Sequence, residues 1–125
     1  MKPQQPDVAY CIKHAEFVNG LREKRRGWQE WDWGWDTVVG ELIPPRIGDR
    51  VRLLGDVWIP TSDDVLGMLG EEGVRPMLWR AVSGGWLARG YDKTHPVKTH
   101  EASGGKPTPL IALLELLRAV EKDDG

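Results

Sequence analysis

Met77-Leu78-Trp79-Arg80-Ala81-Val82-Ser83-Gly84-Gly85-Trp86-Leu87-Ala88-Arg89-Gly90-Tyr91 is the stretch on which the fold class turns. Residues 77–82 and 86–91 are strand-like, and Ser83-Gly84-Gly85 between them supplies the turn of a hairpin. The pairing is therefore antiparallel. Just upstream, Thr61-Ser62-Asp63-Asp64 starts a helix: a hydroxyl N-cap accepts an orphan N–H, and carboxylates suit the positive end of the helix. Val65, Leu66, Met68 and Leu69 supply its buried face, and Gly73 ends it. Downstream, residues 92–107 read as a polar loop, and Thr108-Pro109 opens a last helix with proline in its first turn. In residues 110–120 only Ala112, Glu115, Arg118 and Ala119 are small or polar, a stripe that Lys122 extends, so this helix packs over most of its circumference. Val65, Leu69, Trp79, Leu110, Leu113, Leu114 and Leu117 are the expected shared core.

Toward the N-terminus, residues 1–6 form a loose arm. Val8, Ile12, Ala15, Val18 and Leu21 recur at steps of three and four, an amphipathic helix that Asp7 caps. Asn19-Gly20 ends it, or it continues and carries Arg22, Lys24, Arg25 and Arg26 as an exposed last turn. Trp28-Gln29-Glu30-Trp31-Asp32-Trp33-Gly34-Trp35 fits both strand alternation and helical spacing. Pro44-Pro45 breaks the chain after residues 37–43. Ile47, Val51 and Leu53 mark a strand, Gly55-Asp56 a hairpin turn, and Val57-Trp58-Ile59 the returning strand, stopped by Pro60. The whole reads as one α+β domain, residues 1–125: three helices on a small, largely antiparallel sheet with two hairpins.

Bulk properties narrow the function. The chain has 125 residues, 40% hydrophobic and 29% charged, as a globular protein does. Its net charge of −2 argues against a nucleic-acid partner, whose binding domain carries a basic footprint. A single cysteine, Cys11, excludes a disulfide framework and fits a reducing, cytoplasmic setting. The first ten residues lack the apolar run of a signal peptide, and no segment is apolar enough to cross a membrane.

Seven tryptophans, four of them within residues 28–35, are the most distinctive feature. Interleaved with Gln29, Glu30, Asp32 and Gly34, four indoles cannot all enter a core, and at least two are expected in solvent. Tryptophan is also the residue most enriched where binding energy concentrates. The expected contact set is Trp28, Trp31, Trp33 and Trp35, flanked by Arg25 and Arg26, with a host or phage protein as partner. The opposing reading is that the indoles clamp the first helix to the sheet. Single-stranded nucleic acid would use the same rings with Arg22, Lys24, Arg25 and Arg26, but Glu23, Glu30, Asp32 and Asp36 cancel that charge. Carbohydrate binding would use the indoles and acids in a shaped pocket. A small metal-dependent enzyme would need Cys11, His14, His95 and His100 together, and such scattered spacing specifies no zinc site. Ser62 and Thr108 read as helix caps, and Asp63-Asp64 and Glu71-Glu72 as helix-end charges. No catalytic residues and no cofactor are therefore assigned.

Trp58-Ile59-Pro60-Thr61-Ser62-Asp63-Asp64-Val65-Leu66-Gly67-Met68-Leu69, the Trp-rich hairpin and Pro107-Thr108-Pro109-Leu110-Ile111-Ala112 together resemble small uncharacterised phage and prophage proteins. The resemblance covers residues 57–122. It implies an α/β sandwich-type fold, an origin in a mobile element and an accessory role, such as an anti-defence inhibitor that binds a host complex. It brings no catalytic residues.

Overall fold

In the computed structural model, which describes residues 2–25, 29, 31–45, 56–94, 99–101 and 104–124 (Arg25, Asp123 and Asp124 as backbone only), the chain is α+β. It divides into two compact units, Met1–Pro60 and Thr61–Gly125, each with helices on a three-stranded antiparallel sheet. Four helices are described rather than the three expected.

In Met1–Pro60, α1 (Gln5–Lys13) and α2 (Ala15–Arg25) replace the single expected helix, with a break at His14. The arm is shorter than expected because Pro6 sits in the first turn of α1, where its missing N–H costs no hydrogen bond. Asp7 lies inside the helix and the N-cap is Gln4. Gly20 does not end α2. Val18 and Leu21 on either side of it are buried, and α2 packs on β3 (Val57–Ile59), so burial outweighs the roughly 1 kcal/mol that a mid-helix glycine costs.

Strand alternation wins in the Trp segment: β1 (Trp33–Asp36) pairs with β2 (Glu41–Ile43) on one side and with β3 on the other. Asp36 builds the β1–β2 turn, its Oδ1 accepting from the N–H groups of Val38 (2.9 Å) and Val39 (3.1 Å). Gly40 closes that turn at φ +77°, a left-handed conformation that glycine adopts without strain. The expected strand through Ile47, Val51 and Leu53 and its turn at Gly55 lie outside the described residues. Residues 57–59 are a strand as expected, with β1 as described partner.

Among the described residues, the edge of β3 away from β1 meets a side chain. Asn19 on α2 accepts from the Trp58 N–H (2.9 Å) and donates to the Asp56 carbonyl (3.1 Å), as a neighbouring strand would. Sheet edges need such protection from stray pairing. Asn19→Ala is expected to cost about 1–3 kcal/mol, because both backbone groups lose a partner in a half-buried place. A urea midpoint equal to that of the parent would show that water replaces the amide at no cost.

In Thr61–Gly125, α3 (Ser62–Glu71) begins as expected. Thr61 and Asp64 form a reciprocal capping box, Thr61 N–H to Asp64 Oδ2 at 2.9 Å and Asp64 N–H to Thr61 Oγ1 at 3.2 Å. Leu66, expected inside, is exposed, while Val65, Met68 and Leu69 are buried. Strand β4 (Val74–Arg80) starts and ends earlier than expected, and Val82 stands fully in solvent in the turn to β5 (Trp86–Asp92). The expected loop over residues 92–107 contains a third strand, β6 (Thr99–Glu101), which pairs with β5. Pro76 sits on edge strand β4, where a missing donor is tolerated. Helix α4 (Pro109–Asp124) follows Thr108, whose Oγ1 accepts from the Ile111 N–H at 3.2 Å.

Helix α4 packs on α3 and on all three strands of this sheet. Leu110, Ile111, Leu113, Leu114, Leu116, Leu117 and Val120 are buried, and so is Ala112 from the expected small-or-polar stripe. The contact is close at Gly90, where an added Cβ would lie 2.5 Å from Val74 Cγ1 and 3.3 Å from Leu116 Cδ1. Gly90→Ala is therefore expected to lose about 1–3 kcal/mol through overpacking. Denaturant unfolding measures it, and a loss under about 0.5 kcal/mol would mean that Val74 and Leu116 yield freely. Trp79 is not in this core. Paired with Leu87, it points to the face opposite Gly90 and is half-buried, because alternation rather than hydrophobicity sets its side.

Candidate functional site

Of the six contact residues expected from sequence, Trp31, Trp33 and Trp35 are described. Trp28 and Arg26 lie outside the described residues, and Arg25 is the last residue of α2, described as backbone. Trp33 and Trp35 share one face of β1. Register places Trp33 opposite Ile59, and Trp35 opposite Val57 on one side and Leu42 on the other. Val57 and Ile59 are buried, whereas both indoles and Leu42 are half-buried. Each ring is thus partly covered and partly in solvent. Trp31, just before the strand, is 53% exposed. In the turn after β1, Val38 is 87% and Val39 63% exposed. Among the described indoles of this unit, Trp58 on β3 belongs to the core, at 3%.

The acids between the indoles have local work. Asp32 was expected to stay in solvent, yet it is buried, and its Oδ2 accepts from the Gln29 N–H at 2.7 Å. A backbone donor offsets the cost of burying the carboxylate. Asp36 holds the β1–β2 turn. Both of these acids, interleaved with or following the indoles in sequence, thus serve local backbone turns.

The metal candidates fall as follows. Cys11 is fully buried on α1, and burial, with the Asp7 carboxylate one turn away, pushes its thiol up to about 12. His14 stands against the Tyr10 ring, centroids 4.4 Å apart, and His100 is buried on β6. His95 lies outside the described residues. Among the described residues no three His, Cys, Asp or Glu side chains gather as a metal site.

Sequence reasoning missed a second surface. On β4–β5–β6 the face opposite Gly90 presents Arg75, Met77 and Trp79 on β4, Leu87, Arg89 and Tyr91 on β5, and Thr99 and Glu101 on β6. Arg89 makes an ion pair with Glu101 at 3.2 Å and lies 5.9 Å from the Trp79 ring centre, the outer limit of a cation–π contact. An open depression of about 440 Å³ is lined by Arg75, Tyr91, Asp92 and Lys93. Asp92 Oδ1 there accepts from the backbone N–H and hydroxyl of Thr94. The period-two spacing of residues 75, 77 and 79 and of 87, 89 and 91 was the available signal. Only the hairpin register brings the two sets to one face.

No helix among the described residues is long and apolar enough to cross a membrane. Comparison of the chain with protein-family models, with curated proteins and with solved structures finds no match in any of the three.

Proposed function

We propose that this protein acts by binding another protein, not by catalysis, and that the β2–β1–β3 sheet carries the contact. The observation behind this reading is the run of apolar exposure along β1 and its flanks: Trp31 before the strand, half-exposed Trp33 and Trp35 on it, and Val38 and Val39 in the turn after it. Large apolar side chains left in solvent close together in sequence support an interaction site, and indoles are its strongest anchors. Trp28, Arg25 and Arg26 belong to the same proposal by their place in the sequence. The resemblance of residues 57–122 to phage and prophage proteins extends it to an accessory protein in the cytoplasm whose partner is a host complex, as an anti-defence inhibitor.

The test pairs stability with capture. Trp31→Ala combined with Val38→Ser is expected to leave the chain folded and to cost no more than about 2 kcal/mol, since Val38 is 87% exposed and about half of the Trp31 surface is in solvent. The same variant is expected to lose partners that the parent captures from host lysate, an anchor indole being worth about 2 kcal/mol or more. Acrylamide quenching of single-Trp variants should rank Trp31 well above Trp58. Identical capture by parent and variant would remove this surface from the function.

A further inference from the structure

We infer that the open face of the β4–β5–β6 sheet is a binding site for a single nucleic-acid strand, with Arg75 and Lys93 taking phosphate and Tyr91 and Trp79 taking base faces. This does not rest on the protein-binding proposal, which concerns other strands and other residues.

Four observations carry it. The face is uncovered: α4 takes the opposite side at Gly90, while Arg75 and Met77 are exposed and Trp79 and Tyr91 half-exposed. Charge is segregated within Thr61–Gly125. The described strands and connections of residues 74–106 hold five Lys or Arg against two carboxylates, whereas α3 with Glu72 and α4 hold eight carboxylates against two bases. On and beside the open face itself stand Arg75, Arg89 and Lys93 against Glu101 and Asp92, a small positive excess that the net charge of −2 does not show, and local field rather than sum guides an anionic ligand. Arg75 and Lys93 make no ion pair among the described residues, and both border the 440 Å³ depression beside Tyr91. Last, Arg89 is already held by Glu101, which occupies the cation in the middle of the face before any ligand arrives.

The occupant follows from the pairing of rings and cations. Rows on one sheet face are about 7 Å apart, so Trp79 and Tyr91, two rows apart, stand about 13 Å from one another with Met77 and Arg89 between. A mononucleotide reaches one ring. A strand reaches both, with an intervening base over the middle row. An acidic peptide would satisfy the cations and leave both rings without a flat partner. Stacking on aromatics beside a cationic track is how single strands are held.

The test is fluorescence anisotropy of the full chain with a short fluorescein-labelled oligothymidylate at low salt. Binding is expected, weaker for the corresponding duplex, with log affinity falling against log salt at a slope of about −1.4 for two neutralised phosphates. Arg75→Gln with Lys93→Gln is expected to flatten that slope and weaken binding about tenfold or more. Both residues are exposed, so the melting curve should not move. Tyr91→Ala is expected to weaken binding roughly 5- to 150-fold. Trp31→Ala should leave it unchanged, which separates this site from the protein contact. No anisotropy change, undiminished binding by the double variant, or equal binding of a labelled oligoglutamate would each overturn the inference, the last by making the face a site for acidic proteins.

Discussion

Leu114→Ala is expected to cost about 2–5 kcal/mol, a large part of the stability of so small a chain. Leu114 has no solvent exposure, and its helix packs on α3 and on all three strands of its sheet. Truncation removes the transfer free energy of three carbons and leaves a cavity that close neighbours cannot fill. Leu113, Leu116 and Leu117 are themselves buried at 2% exposure or less, so none has room to swing in. Urea unfolding followed by far-UV circular dichroism measures the loss. A value under about 0.5 kcal/mol would place this face of α4 in solvent and contradict the packing described.

Alkaline pH should produce the second large effect, through Cys11. Its thiol is raised from 9.0 to about 12, first by burial and then by the Asp7 carboxylate. The unfolded chain therefore ionises first. Stability is fully present below about pH 9 and falls by about 1.4 kcal/mol per pH unit from there until the folded thiol itself ionises near 12, some 4 kcal/mol in all. Lysines and tyrosines titrate in the same range, so the measurement is a difference. The stability gap between the parent and Cys11→Ala should shrink by about 2 kcal/mol between pH 7.5 and 10.5. A constant gap would show that the thiol ionises as readily folded as unfolded. The same burial predicts that thiol reagents react with Cys11 at the rate of unfolding.

Much of the fold was legible because its signals are local. The Thr61-Ser62-Asp63-Asp64 start, the Thr108 cap and the Ser83-Gly84-Gly85 turn act over three or four residues, and all are where the residues put them. The α+β class followed from them. Errors arose where a distant neighbour outweighed the local preference. Gly20 would end an isolated helix, but Val18 and Leu21 bury beside β3. Thr99-His100-Glu101 lies in a polar, glycine-containing tract, yet β5 supplies a partner strand. Asp32 should repel the interior, and the Gln29 N–H admits it.

The candidate surfaces divide the same way. Composition alone identified the Trp segment, and alternation of Trp33 and Trp35 was one of two spacings that the residues allowed. Pairing with β2 and β3 chose between them and left the indoles half in solvent. The grouping of Arg75, Lys93 and Tyr91 at one end of the β4–β5–β6 face was invisible in a net charge of −2, because summing along the chain averages strands with helices that face elsewhere. Sequence by itself determined the caps, turns, apolar stripes and element types, since each depends on covalent geometry and neighbours a few bonds away. Only tertiary structure decided which side chains share a face, which polar groups find partners and where charge accumulates, because those depend on strand register and helix packing between residues far apart in the chain.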